Sequence, residues 1–122
     1  MADLAILNHD QLQAVQNDTY DRWNEGLTRQ AYDRYYTAQT QTPWGRSHLV
    51  RLGLIDHDEV VASAKRYAFD ATLDGRAIRV AGLGAVFSAG GVNTRRGFTG
   101  RLTANTLGNG TGSGVWISGA GI

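Results

Sequence analysis

Arginine and glycine follow an apolar segment in the second half of the chain, and this combination could bind an anion. Residues 75–122 contain five arginines and no acidic residue, whereas residues 1–74 contain 11 acidic and seven basic residues. Arg95 and Arg96 directly precede Gly97, shortly after the apolar segment Ala81–Phe87. Arginine forms charge-assisted hydrogen bonds with phosphate groups, and a basic surface attracts anions. The pattern predicts a site for an anionic ligand, unless the uneven charge arises by chance in a short segment.

Candidates for acid–base chemistry are scattered along the chain. Glu25, Asp56, His57, Asp58 and Glu59 carry side chains that can accept a proton, as a general base must. The last four are consecutive and form a polar run that is typical of a solvated turn. No catalytic base is therefore predicted from the sequence.

Metal, thiol and serine chemistry have no matching pattern. His9, His48 and His57 are widely spaced and lack the spacing of metal ligands. The chain has no cysteine, which excludes disulfides and thiolate nucleophiles and fits a cytoplasmic protein in a reducing compartment. Ser113 lies in a glycine-rich run rather than in a nucleophile elbow. We expect neither a metal site nor covalent serine catalysis.

Two helices are predicted at the start of the chain. Asn8 or Asp10 can cap a helix that runs to about Asn24, and Thr28 can cap a second one. The pair Thr42-Pro43 should end the second helix, because the residue before proline avoids helical geometry. Aromatic residues are concentrated in this part of the chain: Tyr20, Trp23, Tyr32, Tyr35, Tyr36 and Trp44.

Three strands of an antiparallel meander should follow. They are predicted at His48–Ile55, Val60–Thr72 and Arg76–Ser88. The pair Asp74-Gly75 is a strong signal for a two-residue hairpin turn, and the last strand should be central and buried because it is nearly all apolar. Side-chain alternation divides the second strand into two faces: Ala62, Ala64, Arg66 and Ala68 on one, and Val61, Ser63, Lys65, Tyr67 and Phe69 on the other.

The last part of the chain has a different composition. Twelve of the 16 glycines lie between Gly82 and Gly121, and the run Gly108–Gly114 is typical of a flexible linker. We expect no amphipathic helix beyond Gly100. The start of the chain lacks the features of a signal peptide, and no apolar run reaches the roughly 20 residues of a membrane span. The predicted organisation is one domain over residues 1–102 and a glycine-rich, flexible or out-of-frame tail over residues 103–122.

Three segments give the sequence a family resemblance. They are Ala62-Ser-Ala-Lys-Arg-Tyr67, Leu73-Asp-Gly-Arg76 and the strand Ile78–Phe87. Together they resemble the GNAT superfamily of N-acetyltransferases, in the branch that includes Eis-like enzymes and fungal lysine N-acetyltransferases. The likeness covers about residues 10–102. It implies an α+β fold, an incomplete GNAT-like one in which two N-terminal helices precede an antiparallel β-meander.

The resemblance also implies a reaction and a cofactor site. A GNAT enzyme transfers acetyl from acetyl-CoA to an amine, here a lysine or a small amine. The backbone of Ala85, Val86 and Phe87 would hold the pantetheine and the thioester. Arg95, Arg96 and Gly97 would hold the pyrophosphate, since a helix N-terminus favours anions. The aromatic residues of the two helices would either wall the acceptor site or pack the helices on the sheet.

Several positions depart from the family pattern. Thr94 stands where the family has Arg or Gln, Thr99 stands where it has Gly or Ala, and Ala89-Gly90-Gly91 replaces the usual proline. The later helices and strands of the family are not recognisable, so a truncated or frame-shifted chain of weak activity is expected. The alternatives are a non-catalytic module that dimerises through its open sheet edge, and an inactive fragment. Neither nucleic acid nor a membrane is expected as a partner, although Arg101 adds to the basic cluster.

Overall fold

A computed structural model describes residues 2–88, 92–108 and 115–118 of the 122-residue chain, with side chains described for residues 2–88, 97, 98 and 100–106. Nine elements follow one another in these residues: β1 (Asp3–Ile6), α1 (His9–Trp23), α2 (Arg29–Gln41), α3 (Pro43–His48), β2 (Leu49–Asp56), β3 (Glu59–Leu73), β4 (Arg76–Ser88), α4 (Val92–Gly108) and β5 (Val115–Ser118).

The first two helices begin where their capping residues predict. Asn8 and Gln11 form a capping box, because the side-chain oxygen of each accepts a hydrogen bond of 2.9 Å from the backbone N–H of the other. Thr28 caps α2 through a bond of 3.2 Å from the N–H of Ala31. Thr42 has an extended backbone that ends α2, and its hydroxyl then caps α3. Both predicted helices are confirmed, and the short α3 is an addition to them.

Two tight turns join the long strands. The turn between β2 and β3 consists of His57 and Asp58, and the turn between β3 and β4 consists of Asp74 and Gly75. All four residues have a positive φ, as type I′ hairpin turns require. The three predicted strands are confirmed within one residue at each end, and His48 alone falls in a helix instead.

The sheet has the order β1-β2-β3-β4-β5. Its first four strands pair antiparallel, whereas β5 pairs parallel to β4. A parallel neighbour requires a crossover connection, and α4 lies in that connection. Helices α1, α2 and α3 contact one face of the sheet, and α4 contacts β3 and β4 from the other. The predicted α+β class is confirmed.

An apolar cluster holds α4 on the sheet. Phe98 and Leu102, four residues apart on α4, are both fully buried. They contact buried residues of the three central strands: Leu52, Leu54, Ala62, Ala64, Leu83 and Val86. Arg66 of β3 adds a polar link to α4, since its Nη1 donates to Asn105 Oδ1 at 2.8 Å.

No amphipathic helix was expected beyond Gly100, and α4, which has little amphipathic character, nevertheless continues to Gly108. Its glycines and threonines are weak helix formers, and its hydrophobic face is narrow, so the sequence gives little local signal. Tertiary burial of Phe98 and Leu102 supplies the stabilisation instead. The boundary predicted after residue 102 lies within this helix. The linker was predicted over Gly108–Gly114; Gly108 is the last residue of α4, and residues 109–114 are outside the described part of the chain.

Two strands were also missed, and both are short. β1 and β5 have four residues each, too few for a clear alternation pattern. β5 pairs with Val80–Leu83 of β4 and so covers one part of the sheet edge that was predicted to be open. Of the helices that the structure describes, none has the length and apolar composition of a membrane span.

If α4 is part of the packed core, Leu102→Ala will lower the free energy of unfolding by about 2–5 kcal/mol, because it leaves a cavity under the helix. Denaturant unfolding of the purified variant measures this change. Leu73→Ala is the matched control, since Leu73 is exposed at the end of β3 and should change stability little. Equal and small effects of the two substitutions would contradict the packing of α4.

Candidate functional site

The central feature of the site is a one-residue bulge in β4. Lys65 of β3 lies opposite Gly84, and Ser63 lies opposite Phe87. Two residues of β3 are thus matched by three residues of β4. The extra residue is accommodated at Ala85, whose φ is 49°. Such a left-handed backbone is uncommon for a residue other than glycine. Bulges of this kind bend the strand and are frequent beside active sites.

In the part of the chain that the structure describes, Gly84–Phe87 of β4 have no neighbouring strand on one side. The register between β4 and β5 runs from Val80 opposite Val115 to Leu83 opposite Ser118. Within the described residues, no strand pairs with Gly84–Phe87 on that side. This segment contains Ala85, Val86 and Phe87, the residues predicted to hold pantetheine. Its free backbone groups are available to an extended ligand, in the manner of an added strand.

The N-terminus of α4 follows three residues after the end of β4. The backbone N–H groups of Val92, Asn93 and Thr94 are in the first turn, where a helix leaves its donors unpaired. Arg95 and Arg96 come next, and their side chains are outside the described part of the structure. Gly97 is exposed, with no atom within 4 Å of the position that a Cβ would take.

A cavity of about 190 Å³ lies between α2, the α1–α2 loop and β3, and we call it the aromatic cavity. It is lined by Trp23, Asn24, Glu25, Leu27, Tyr32, Tyr35, Tyr36, Gln39 and Lys65. A much smaller cavity of about 10 Å³ shares Trp23, Tyr36 and Lys65 with it and is also lined by Ala85 and Arg51. The shared residues place the aromatic cavity next to the bulge in β4.

Two cations and a tyrosine form the polar core of this region. Arg51 Nη2 donates to the backbone oxygen of Tyr36 at 3.0 Å and to Gln39 Oε1 at 3.1 Å. The Tyr36 ring centre lies 4.6 Å from Arg51 Cζ and 4.4 Å from Lys65 Nζ. Both contacts are within the range of cation–π attraction.

Burial changes the titration of these groups. Desolvation, and then the charge of Arg51, lower the pKa of Lys65 to about 8. Desolvation and a hydrogen bond to Tyr32 raise the pKa of Tyr36 well above its usual range. Burial also lowers the pKa of Arg51, although arginine stays protonated in proteins. Lys65 is therefore the member of this cluster that changes its charge nearest to neutral pH.

The acidic candidates from the sequence are divided between two places. Glu25 lines the aromatic cavity, with a positive φ in the loop after α1. Asp58 and Glu59 line a separate groove with Asp10 and Asp18 of α1. His57 is exposed and pairs with Asp56 at 3.0 Å. No group of three or more potential metal ligands occurs among the residues that the structure describes.

The packing role considered for the aromatic residues is observed, and their role at an acceptor site stays a prediction. Trp23, Tyr32, Tyr35 and Tyr36 line the aromatic cavity. They also pack the helices, since Tyr32 and Tyr36 are buried and Trp23 contacts Phe87 edge to face at 6.3 Å. Tyr20 and Trp44 lie outside the cavity lining: Tyr20 packs on Tyr32, and Trp44 stacks on His48.

Lys65 is the residue of this site that the sequence did not single out as functional. A signal for it exists in the composition, because the chain has 11 arginines and a single lysine. Arginine cannot give up its proton, whereas the pKa of a buried lysine shifts readily. A lone lysine in an arginine-rich chain is thus a candidate for a titrating role.

Comparison with known proteins identifies the family. Residues 11–119 match the family described as acetyltransferase (GNAT) domain. The chain therefore belongs to the GNAT acetyltransferase family and is an enzyme of the acetyltransferase class. The superfamily predicted from the segments between Ala62 and Phe87 is confirmed. No curated protein matches the sequence.

Solved structures support the same fold. A transcriptional regulator from Bacillus halodurans has a TM-score of 0.71 at 11% identity, over 98% of this chain and 81% of that one. An aminoglycoside N-acetyltransferase in complex with CoA has a TM-score of 0.68 at 17% identity, over 98% and 76%. A predicted acetyltransferase from Clostridium acetobutylicum, with acetyl-CoA, has a TM-score of 0.60 at 12% identity, over 100% and 80%.

The half-buried position of Lys65 predicts how its loss affects stability. Lys65→Met should raise the melting temperature at pH 7 by a few degrees, because it removes the cost of burying a charge. The folded-state pKa is about 8 and the unfolded one about 10.4, so the native lysine becomes neutral first. The cost therefore disappears, and the gain shrinks, as pH rises from 8 toward 10.

Thermal melts of both proteins between pH 7 and pH 10 measure this difference. Arg34→Met, which removes an exposed charge from α2, is the control and should show no such convergence. A gain that stays constant over the pH range would contradict the lowered pKa.

Proposed function

We propose that the chain transfers an acetyl group from acetyl-CoA to a primary amine bound in the aromatic cavity. The observation that carries the proposal is the bulge at Ala85, which joins two features. On one side it borders Gly84–Phe87, which no strand among the described residues pairs with along that edge, and on the other it lines the cavity next to Lys65. An acyl donor along the strand and an amine in the cavity would therefore meet at the bulge.

The residues present fit acetyl-CoA. The free backbone of Ala85, Val86 and Phe87 suits the amide groups of pantetheine, and an N–H of this segment suits the thioester oxygen. The first turn of α4 suits a pyrophosphate, with Arg95 and Arg96 as neighbouring cations. Open space at Gly97 permits close approach to the helix backbone. Two structural relatives, solved with CoA and with acetyl-CoA, support the same ligand class. When bound, acetyl-CoA supplies an activated acetyl thioester.

The lining of the aromatic cavity suits a small cationic acceptor. Trp23 and three tyrosines present aromatic surfaces that attract an ammonium group. Glu25 adds a carboxylate in the same lining. A volume of about 190 Å³ accommodates a small amine or the end of a lysine side chain. The reactants would be held in a fixed geometry, which lowers the barrier to reaction.

Weak activity is part of this proposal. Thr94 and Thr99 replace residues that usually contact the pyrophosphate in relatives, so fewer charge-assisted bonds are available. The closer likeness to Eis-like and fungal lysine N-acetyltransferases stays a prediction. The tail over residues 103–122 and dimerisation through the sheet edge stay predictions as well.

Two glycine substitutions test the cofactor site. Gly97 and Gly100 are both exposed residues of α4 with open space at the Cβ position. Either one changed to alanine should stabilise the ligand-free chain by roughly 1 kcal/mol, through helix propensity. Acetyl-CoA in hundredfold excess over its Kd should stabilise the wild type by roughly 2.7 kcal/mol. Gly97→Ala should lose most of that ligand effect, because its methyl group occupies the approach, whereas Gly100→Ala should keep it.

Melts with and without acetyl-CoA measure these effects, and a thiol-release assay with small primary amines measures transfer. A wild type that neither gains stability with acetyl-CoA nor releases thiol would contradict the proposed function. Equal ligand effects in the two glycine variants would contradict the site assigned to Gly97.

A further inference from the structure

We infer that the amine of Lys65 is the general base that removes a proton from the acceptor ammonium. The inference rests on the proposed function and adds a catalytic residue to it. An ammonium has no lone pair, so the acceptor must lose a proton before its nitrogen can attack the thioester. Among the described residues, Lys65 lies where the amine and the thioester would meet.

Lys65 is positioned beside the bulge. Lys65 lies opposite Gly84, the residue directly before the bulge. It lines the aromatic cavity and also the small cavity beside Ala85. A proton acceptor here lies between the amine and the strand segment proposed for the thioester.

The other titratable groups beside Ala85 cannot act as a base. The small cavity beside Ala85 is lined by three titratable groups, Lys65, Arg51 and Tyr36, and by no carboxylate. Arg51 stays protonated, and the raised pKa of Tyr36 keeps its hydroxyl protonated as well. Glu25 lines only the larger cavity. Lys65 is the remaining group that can accept a proton at the bulge.

The electrostatic environment of Lys65 favours its neutral form. Among the described residues, the charged and titratable groups that line a cavity together with Lys65 are Arg51 of β2, Tyr32, Tyr35 and Tyr36 of α2 and Glu25 of the α1–α2 loop, and Tyr67 lies two residues farther along its own strand. In the described part of the chain, no carboxylate lies within 4.0 Å of its Nζ. Burial and the nearby Arg51 therefore favour the neutral amine, and the pKa falls to about 8.

The residue type at position 65 also fits a base. Of the 12 lysine and arginine residues in the chain, 11 are arginine and Lys65 is the single lysine. An arginine here would keep the charge and the contact with the Tyr36 ring but could not act as a base. The position opposite Gly84, directly before the bulge, thus carries the single lysine of the chain, whose amine can release and accept a proton.

Atoms and charge balance in the proposed step. Neutral Lys65 takes one proton from the acceptor R–NH3+ and becomes an ammonium. The lone pair of R–NH2 forms a C–N bond to the acetyl carbonyl carbon, and the C–S bond of the thioester breaks. The departing thiolate takes the second proton that the nitrogen loses. Lys65 then returns its proton to solvent, so the products are the acetamide, CoA thiol and one proton.

A labelling experiment tests the titration without any cofactor. Because the chain has one lysine, trace acetic anhydride labels Lys65 and the N-terminal amine, and peptide mass spectrometry separates the two. The labelling rate of Lys65 in the folded protein should rise with a midpoint near pH 8, as the lowered pKa requires. A midpoint near that of an ordinary lysine, about 10.4, would overturn the inference.

A pair of acceptors of nearly equal shape separates catalysis from structure. Ethylamine is an ammonium at pH 7, whereas trifluoroethylamine is mostly neutral and needs far less help from a base. Lys65→Met should lower kcat/KM for ethylamine by about 10²–10⁴-fold, the usual contribution of a general base, and should lower it much less for trifluoroethylamine. Lys65→Arg should do the same while it retains the positive charge.

The pH profile supplies a further readout. For the wild type with ethylamine, kcat/KM should rise through an apparent pKa near 8, and this limb should vanish in both variants. Arg34→Met should keep the wild-type profile. Equal losses for the two amines, or an unchanged limb, would overturn the base role and leave acetyl transfer intact. A wild type that acetylates neither amine would overturn the proposed function, and the base role would fall with it.

Discussion

The bulge at Ala85 determines which side chains reach which face of the sheet. In a regular strand, successive residues alternate between faces. Here Gly84 and Ala85 both lie on the side of α1 and α2, so the alternation shifts by one residue. Val86 therefore joins the core under α4, and Phe87 meets Trp23 of α1. Without the extra residue these two side chains would exchange faces. The bulge thus lets β4 pack on α4 from one face and on α1 from the other, and it lies where the pairing of β4 with β5 ends.

The charge cluster next to the bulge depends on how Arg51 is satisfied. Its hydrogen bonds go to a backbone carbonyl and to the amide of Gln39, which are neutral acceptors. They hold the guanidinium in place without cancelling its charge. A carboxylate partner would have compensated that charge and favoured a protonated Lys65. Neutral acceptors leave the field of Arg51 acting on Lys65, so the same contacts that secure α2 to β2 also set the charge state of the site.

Elements defined by local chemistry could be predicted from the sequence, and those defined by tertiary burial could not. Asn8 and Thr28 cap their helices and Asp74-Gly75 forms its turn through neighbouring atoms alone. The helix α4 depends instead on burial of its apolar residues by residues of three strands that lie 12 to 50 positions earlier in the chain. Lys65 illustrates the same limit, because alternation placed it correctly with Ser63 and Tyr67 but gave no sign that α2 covers it. The bulge segment was found through family resemblance rather than through any rule of composition.

The glycines before the bulge show why one face of β4 is suited to a ligand. Gly82 and Gly84 have ordinary negative-φ backbones, and a Cβ at either position would lie 3.6 Å or more from its neighbours. Neither turn geometry nor packing therefore requires glycine. A glycine inside a strand costs roughly 0.5–1 kcal/mol relative to alanine, so stability does not favour it either. What the missing side chain provides at Gly84 is bare backbone opposite Lys65, and glycine in a strand often marks a place where a ligand approaches closely. The open surface, the base and the bulge therefore lie along one short stretch of two paired strands.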